Sequence, residues 1–552
     1  MKRFNWIYIL FLTIQLSAQN QLIAPLDIPL FMSGSFAELR SNHYHSGVDF
    51  KTNEQIGLPV YSVDEGWISR IKISPWGYGN AIYIDHPSGI TSVYGHLNNF
   101  IPEIEKLIRN LQYQKRSESI DQYFQKDEYK INRGQVIAFS GNTGGSGGPH
   151  LHFETRRTNN QEPFNPLSLG FDVQDHRHPI IRNLMVNFNN NQKIIPVNRI
   201  NDSLYSIESL VELPQKYLRL SVDIIDFSDG SPNKLGVNEI EFIVNGIIIY
   251  TFNIDQFSFD ISRYVNAHIE YAYFKEKGTR YHKLYTEPGD LSNLYPINQD
   301  FEIPYGEEIP CQLNIVDSKG NRSVLNFNVL AKKEEVAKES KIKFLNDQLI
   351  DYTQSYHINY NHLILDFAKN SFYRNFYLSY KEIADSSLTG HLIFQIHKDT
   401  EPVHKYFKMK YKNPNIQGVD RHKICFAEIE NGQLSYVSTK HEKDYIVGSS
   451  RNFGNFTLFV DTVAPRISFK SDIRVNESRI ISFNVADNFS GVDYYNAYID
   501  GNWVLLKYDY KNKALYYQLD DYLMANGQER TMKVLVKDAL NNASEYIYKF
   551  IY

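Results

Sequence analysis

Two short segments about a hundred residues apart carry side chains able to do chemistry together: His45-Ser46-Gly47-Val48-Asp49 and His150-Leu151-His152-Phe153-Glu154. In a strand, residues two apart share a face, so His150 and His152 point one way while Leu151 and Phe153 enter packing. Two imidazoles and a carboxylate suit zinc, which in catalytic sites takes three protein ligands and keeps a fourth position for water. Gly47 is expected to let the backbone turn so that His45 and Asp49 converge. A third element, Tyr94-Gly95-His96-Leu97, adds another imidazole. The Gly-rich run Ser140–Pro149 lacks the Gly-Lys-Ser/Thr ending of a phosphate-binding loop.

The elements that must position these residues read as strands joined by Gly-rich turns from Ile23 to about Leu169. Gly66–Ile71 and Asn80–Ile84 alternate with a period of two. Between Ile101 and Lys130 the apolar residues Ile104, Leu107, Ile108 and Leu111 follow a helical spacing, which predicts a helical insertion. Beyond Asn165-Pro166 a repeat emerges. Ser221–Asp226, Gly236-Val237 and Val244-Asn245-Gly246 match Phe483–Asp487, Gly491-Val492 and Ile499-Asp500-Gly501. Both modules finish alike, Ile315-Val316-Asp317 with Asn321 matching Val536-Lys537-Asp538 with Asn542. Such punctuation belongs to antiparallel β-sandwiches. Residues 341 to 460 between them are also strand-like.

Composition narrows the classes. The 552 residues suggest three to four domains at about 150 residues each. Lys and Arg number 58 against 63 Asp and Glu, so 58 − 63 = −5, and no basic footprint for nucleic acid exists. Hydrophobic residues at 42% provide for real cores. The two cysteines, Cys311 and Cys425, exclude a disulfide scaffold and a cysteine-rich zinc module. Lys2 and Arg3, the apolar run Trp6–Leu16 and Ser17-Ala18 read as a secretory signal peptide. The mature chain is expected to begin near Gln19, to hold no transmembrane segment, and to work in the periplasm or outside the cell.

From His43 to Pro166 the chain resembles the lysostaphin/LytM-type zinc metalloendopeptidases, which cleave peptides of bacterial peptidoglycan. The resemblance is carried by His45–Phe50, Gly57–Val60, Gly77–Asn80, Tyr94–Leu97, Gly134–Ala138 and Gly148–Glu154. It implies a small antiparallel β-fold with a groove along its sheet, zinc ligands at His45, Asp49 and His152, and two non-ligand catalytic histidines, His150 and His96. The insertion after Leu97 departs from the family pattern. Fold and domains are therefore expected as all-β: signal peptide 1–18, metallopeptidase domain 19–175 with its insertion at 101–130, an Ig-like sandwich at 176–335, a sandwich-like module at 336–462 and a last Ig-like sandwich at 463–552.

No His-Glu-x-x-His helix supplies a glutamate base. A histidine, with an unperturbed pKa of about 6.5, is the natural replacement. One of His150 and His96 orients or deprotonates the water, while the other steadies the oxyanion or protonates the leaving amine. Glu154 is read as an outer supporting or structural residue. His43 mimics His45, but only His45 precedes the Ser-Gly-x-Asp step; His86 is read as a structural residue at a hairpin turn, and His176 and His178 as solvated. Tyr78 and Trp76 are candidates to line the groove. The insertion is expected to border it, gating substrate or holding a partner. The rival reading is a non-enzymatic envelope protein whose β-sandwiches dock on or regulate other wall hydrolases.

Overall fold

The computed structural model describes residues 22–188, 191–332, 348–384, 392–412, 419–475, 478–519 and 527–551. The expected leader at 1–18 and the expected boundary at 335/336 lie outside the described residues. Among the described residues no helix is long and apolar enough to cross a membrane.

The amino-terminal part is built on β1 (Met32–Gly34), β2 (Val48–Lys51), β3 (Gly66–Ile73), β4 (Asn80–Asp85), β5 (Ile90–Leu97), α1 (Pro102–Lys115), β6 (Ile120–Tyr123) and β7 (His150–Arg157). The strands lie in the order β1-β2-β7-β5-β4-β3-β6, and every neighbouring pair is antiparallel. β7 is central because it is apolar at alternate positions. Leu151 pairs with Phe50 and Phe153 with Val48 in register, and all four are fully buried. That face removes a large apolar area from water, at roughly 25 cal/mol per Å². The register then has no freedom, since a slip of one residue would turn these side chains to the opposite face.

The insertion is helical only in its first half. Pro102 starts α1 where a missing N–H costs nothing, and Glu103 and Glu105 complement the helix dipole. The apolar spacing stops at Leu111, and Arg116 at φ 48° turns the chain left-handed and ends the helix. The following segment becomes β6, pairing with β3 from Ile120↔Ile73 to Tyr123↔Arg70. The prediction of a helical insertion to Lys130 is corrected accordingly: after Leu111 the apolar residues no longer recur at helical intervals.

The rest of the chain is β-rich. In the last module, Ile481 and Phe483 from one four-stranded sheet pack with Ile499, Met532 and Val534 from another. The middle module likewise packs Leu363 and Leu365 of one five-stranded sheet against Phe394 and Phe426 of a second. The first module differs in two ways. Its core is continuous with that of the amino-terminal domain, and Leu204–Ser206 and Val211–Leu213 pair in parallel with Arg322–Ala331, so it is not purely antiparallel. Cys311 and Cys425 are both buried and free, in different modules.

The chain also folds back on itself. Glu118 of the insertion accepts hydrogen bonds from Tyr495 Oη and the Tyr508 N–H, and Tyr113 packs edge-on to Trp503 at 5.2 Å. The insertion thus packs against the chain's own last module.

Candidate metal centre

The ladder between β2 and β7 places Asp49 directly opposite His152. On the other side of β7, His152 faces Gly95 of β5, where an added Cβ would sit 3.4 Å from the imidazole. His45 arrives from the loop before β2. Gly47 serves a different purpose from the one expected: it is not at positive φ, and a Cβ there would lie 2.4 Å from the Phe153 carbonyl oxygen. Close approach of the loop to β7 demands the glycine, and that approach brings His45 to Asp49.

The result is a compact donor set. Ligand atoms of His45, Asp49 and His152 lie within 4.8 Å of one another. Asp49 Oδ1 is 3.1 Å from His45 Nε2 and 2.9 Å from His152 Nδ1, and the two ring nitrogens are 3.2 Å apart. The remaining polar atoms are tied outward. His45 Nδ1 donates to the Ser35 carbonyl at 2.8 Å and His152 Nε2 to Glu154 Oε1 at 2.8 Å. Since a carbonyl or carboxylate oxygen only accepts, those nitrogens carry hydrogens, and His45 Nε2 and His152 Nδ1 are the ring atoms turned to the centre. Arg40 Nη2 donates to Asp49 Oδ2 at 2.9 Å, leaving Oδ1 for the centre. Two imidazole nitrogens and one carboxylate oxygen, each braced from behind, fit a divalent metal.

Glu154 is the hub of that bracing. It accepts from Ser46 Oγ at 2.6 Å, Tyr78 Oη at 2.5 Å and Arg156 Nε at 2.6 Å besides His152. Burial opposes its ionisation, but Arg156 and His152 outweigh burial and hold the carboxyl well below its ordinary value. Asp49 behaves alike: burial is overcome first by His45, then by the bonds from His150 and His152.

His150 and His96 face the same space. His150 Nε2 is 3.4 Å from Asp49 Oδ1, with Nδ1 donating to the Gly148 carbonyl at 2.9 Å. The His96 ring lies 4.8 Å from that of His150 and 5.7 Å from that of His152. Regular alternation would send His96 to the opposite face, because Gly95 shares the face of His152. Instead His96 adopts φ 58°, next to an irregularity in the β4–β5 ladder, and the distortion re-aims its ring. Its Nδ1 donates to the Thr143 carbonyl at 2.8 Å. Burial, helped by His152 and His150, pushes it down to about 3.

That carbonyl belongs to a loop held by the last module: Lys511 Nζ donates to the Asn142 carbonyl at 2.6 Å and Tyr510 Oη to the Gly144 carbonyl at 3.1 Å. Trp76 is half-exposed and packs on the Tyr510 ring at 4.3 Å, whereas Tyr78 stacks on His152 at 5.0 Å. His43 stays exposed and bonds only the Ser41 carbonyl. His86 is buried beyond β4, tied to the Glu65 carbonyl and Ser92 Oγ. His176 is exposed, on Asp229, and His178 is partly buried, on the Arg322 carbonyl. Sequence reasoning missed Arg40 and Arg156. Arg156 falls on the face of β7 shared by His150, His152 and Glu154, so the same alternation could have found it; nothing in the sequence signals Arg40.

With this geometry in place, the peptidase family M23 model matches residues 43–110 and 106–166. Over residues 43–166 the chain is similar to peptidase family M23. A Zu5-like domain model matches residues 347–461. The chain is 34% identical over 131 residues to the DD-carboxypeptidase/endopeptidase Mpg of Neisseria meningitidis, covering 24% of each chain. It is 34% identical over 110 residues to the peptidoglycan DD-endopeptidase ShyB of Vibrio cholerae, covering 20% of each. The chain thus spans about a quarter of the length of the curated relatives it matches. Among solved structures, the catalytic domain of lysostaphin from Staphylococcus simulans aligns at 25% identity and a TM-score of 0.18, over 25% of this chain and 87% of that one. The matched stretch contains His45, Asp49, His96, His150 and His152, the five residues singled out in the sequence.

Proposed function

We propose that this chain is an exported, zinc-dependent endopeptidase that hydrolyses peptide cross-links or stems of bacterial peptidoglycan. The observation that carries the reading is the convergence of His45 Nε2, Asp49 Oδ1 and His152 Nδ1, with His150 and His96 turned to the same space. The M23 match and the named activities of the similar proteins support it. The expected limits of the peptidase domain, 19–175, and of the three following modules are part of the proposal.

His45, Asp49 and His152 would hold the zinc, which would supply Lewis acidity there, lowering the pKa of a water to about 7 and polarising the scissile carbonyl. His96 keeps its Nδ1–H on Thr143, so its Nε2 accepts a hydrogen bond from the attacking water and orients it. His150 takes the other role, steadying the developing oxyanion or delivering a proton to the leaving amine. Glu154 and Arg40 do no chemistry; they fix the His152 ring and the Asp49 carboxylate.

The test is digestion of defined cross-linked muropeptides by the zinc-loaded chain, with fragments identified by mass. Cleavage at a peptide bond that disappears in His152→Ala supports the proposal. A chain that binds zinc yet releases no fragment would instead support the docking or regulatory reading.

A further inference from the structure

Two acidic clusters outside the M23 site repeat with the modules. Asp175, Asp226 and Asp317 bring carboxylate oxygens within 4.8 Å of one another where the amino-terminal domain meets the first sandwich. Asp461, Asp487 and Asp538 do the same where the middle module meets the last. The positions correspond one by one. Each cluster takes an aspartate from an Asp-x-x-x-Pro linker, Asp175 to Pro179 or Asp461 to Pro465. Each takes a second from just beyond a strand, Asp226 after Leu220–Ile225 or Asp487 after Ser478–Ala486. The third opens an Asp-x-x-x-Asn-x-Ser turn, Asp317 to Ser323 or Asp538 to Ser544.

The turns also bond alike. Asn321 Nδ2 donates to the Asp175 carbonyl at 3.1 Å, and Asn542 Nδ2 to the Asp461 carbonyl at 3.0 Å. Ser323 and Ser544 donate to the carbonyls of Pro179 and Pro465. Each linker is therefore pinned to the module that follows it, and its carboxylate is delivered into the cluster.

An independent observation points to a ligand. Asp226 is 1% exposed and Asp175 is 7% exposed, yet Asp226 Oδ1 and Asp175 Oδ2 accept no hydrogen bond; Asp487 Oδ1 in the second cluster accepts none either. Buried carboxylate oxygens are ordinarily satisfied. Among the described residues none of the six carboxylates joins an ion pair. Arg177, two residues from Asp175, lays its guanidinium over the Phe227 ring at 4.8 Å. Burial, and then the charges of Asp317 and Asp175, push Asp226 up to about 8.

We propose that each triad binds a hard divalent cation of calcium's class, clamping the linker to the module it enters. The donors are all oxygen, which suits calcium's six to eight ligands and irregular geometry. The absence of imidazole and thiolate from both triads disfavours zinc. Backbone carbonyls and water complete the shell. At the second junction the ion secures the module whose Lys511 and Tyr510 hold the Asn142–Gly144 loop.

The test uses the zinc-loaded chain, passed over a chelating resin to remove free cations and titrated separately with calcium chloride and magnesium chloride. Bound calcium is counted by equilibrium dialysis, and melting is followed alongside. Expected are two calcium ions per chain, with affinities of about 0.1–1 mM as in other extracellular modules, weaker magnesium binding, and a melting temperature raised by calcium. Asp226→Asn and Asp487→Asn should each remove one ion and the double variant both. A wild-type count of zero or one ion overturns the proposal without reference to any variant. So does a double variant that keeps both ions, or an Asp226→Asn chain stabilised to the same extent with and without calcium, the signature of mere carboxylate crowding. None of these readouts depends on peptidase activity.

Discussion

Tyr495, in the last module, donates a 2.5 Å hydrogen bond to Glu118, 377 residues earlier in the insertion. The Tyr508 N–H donates to the same oxygen at 3.0 Å. Glu118 is half-buried as a residue, but its carboxylate is enclosed, and burial pushes it up to about 7 from 4.5 against both hydrogen bonds. A carboxyl raised in the folded state holds its proton more tightly folded than unfolded. Its contribution is therefore fully present below the unfolded value near 4.5 and is lost as pH rises to about 7. Between pH 5 and 8 the wild type should lose on the order of 1–3 kcal/mol relative to Glu118→Gln. Thermal melts of both chains across that range check this, and parallel curves would count against it.

The loop that holds His96 is itself held by the last module, through Lys511 on Asn142 and Tyr510 on Gly144. Combining Lys511→Ala with Tyr510→Phe should lower kcat several-fold while zinc content stays unchanged. Steady-state rates on a muropeptide, with metal analysis, decide it. An unaltered kcat would show that the packing of Gly144 and Gly145 on Gly77 and Gly79 supports the loop alone.

The histidines of the site should divide by function. His152→Ala should lose zinc and activity together. His150→Ala and His96→Ala should keep zinc and lose about 10²–10⁴-fold in kcat, the usual range for a positioned acid or base. Metal content by atomic spectroscopy separates the two groups. Loss of zinc from His150→Ala would place that ring among the ligands.

Arg40 orients Asp49 from outside the donor set. Arg40→Ala should weaken zinc binding by about 10–100-fold, the scale on which outer supports of metal ligands act. Competition with a chromophoric chelator measures it; an unchanged affinity would assign the orientation of Asp49 to the histidines.

Gly47→Ala should be costly, since its Cβ would lie 2.4 Å from a backbone carbonyl oxygen of β7. Forcing that contact should cost about 1–3 kcal/mol of stability and displace His45 from Asp49. Denaturant unfolding with a zinc titration reports both effects.

The residues alone made the chemistry and the local structure legible. Strand alternation put His150 and His152 on one face, with Leu151 and Phe153 on the other, because the period of a strand is a property of the backbone. The repeat of Asp226, Asp317 and Asn321 in Asp487, Asp538 and Asn542 was legible for the same reason, since turn chemistry is written within a few residues. Helical spacing revealed α1 but not that the segment after it becomes a strand, because β6 exists only by pairing with β3. That Asp49 lies opposite His152, that Arg40 reaches Asp49, and that Glu118 meets Tyr495 emerged from the folded chain. Each of these depends on contacts between distant parts of the chain. His96 shows the division most plainly. Its residue type pointed to chemistry, yet alternation would have turned it away, and a left-handed φ, maintained by the Thr143 carbonyl and the surrounding packing, brings it to the site.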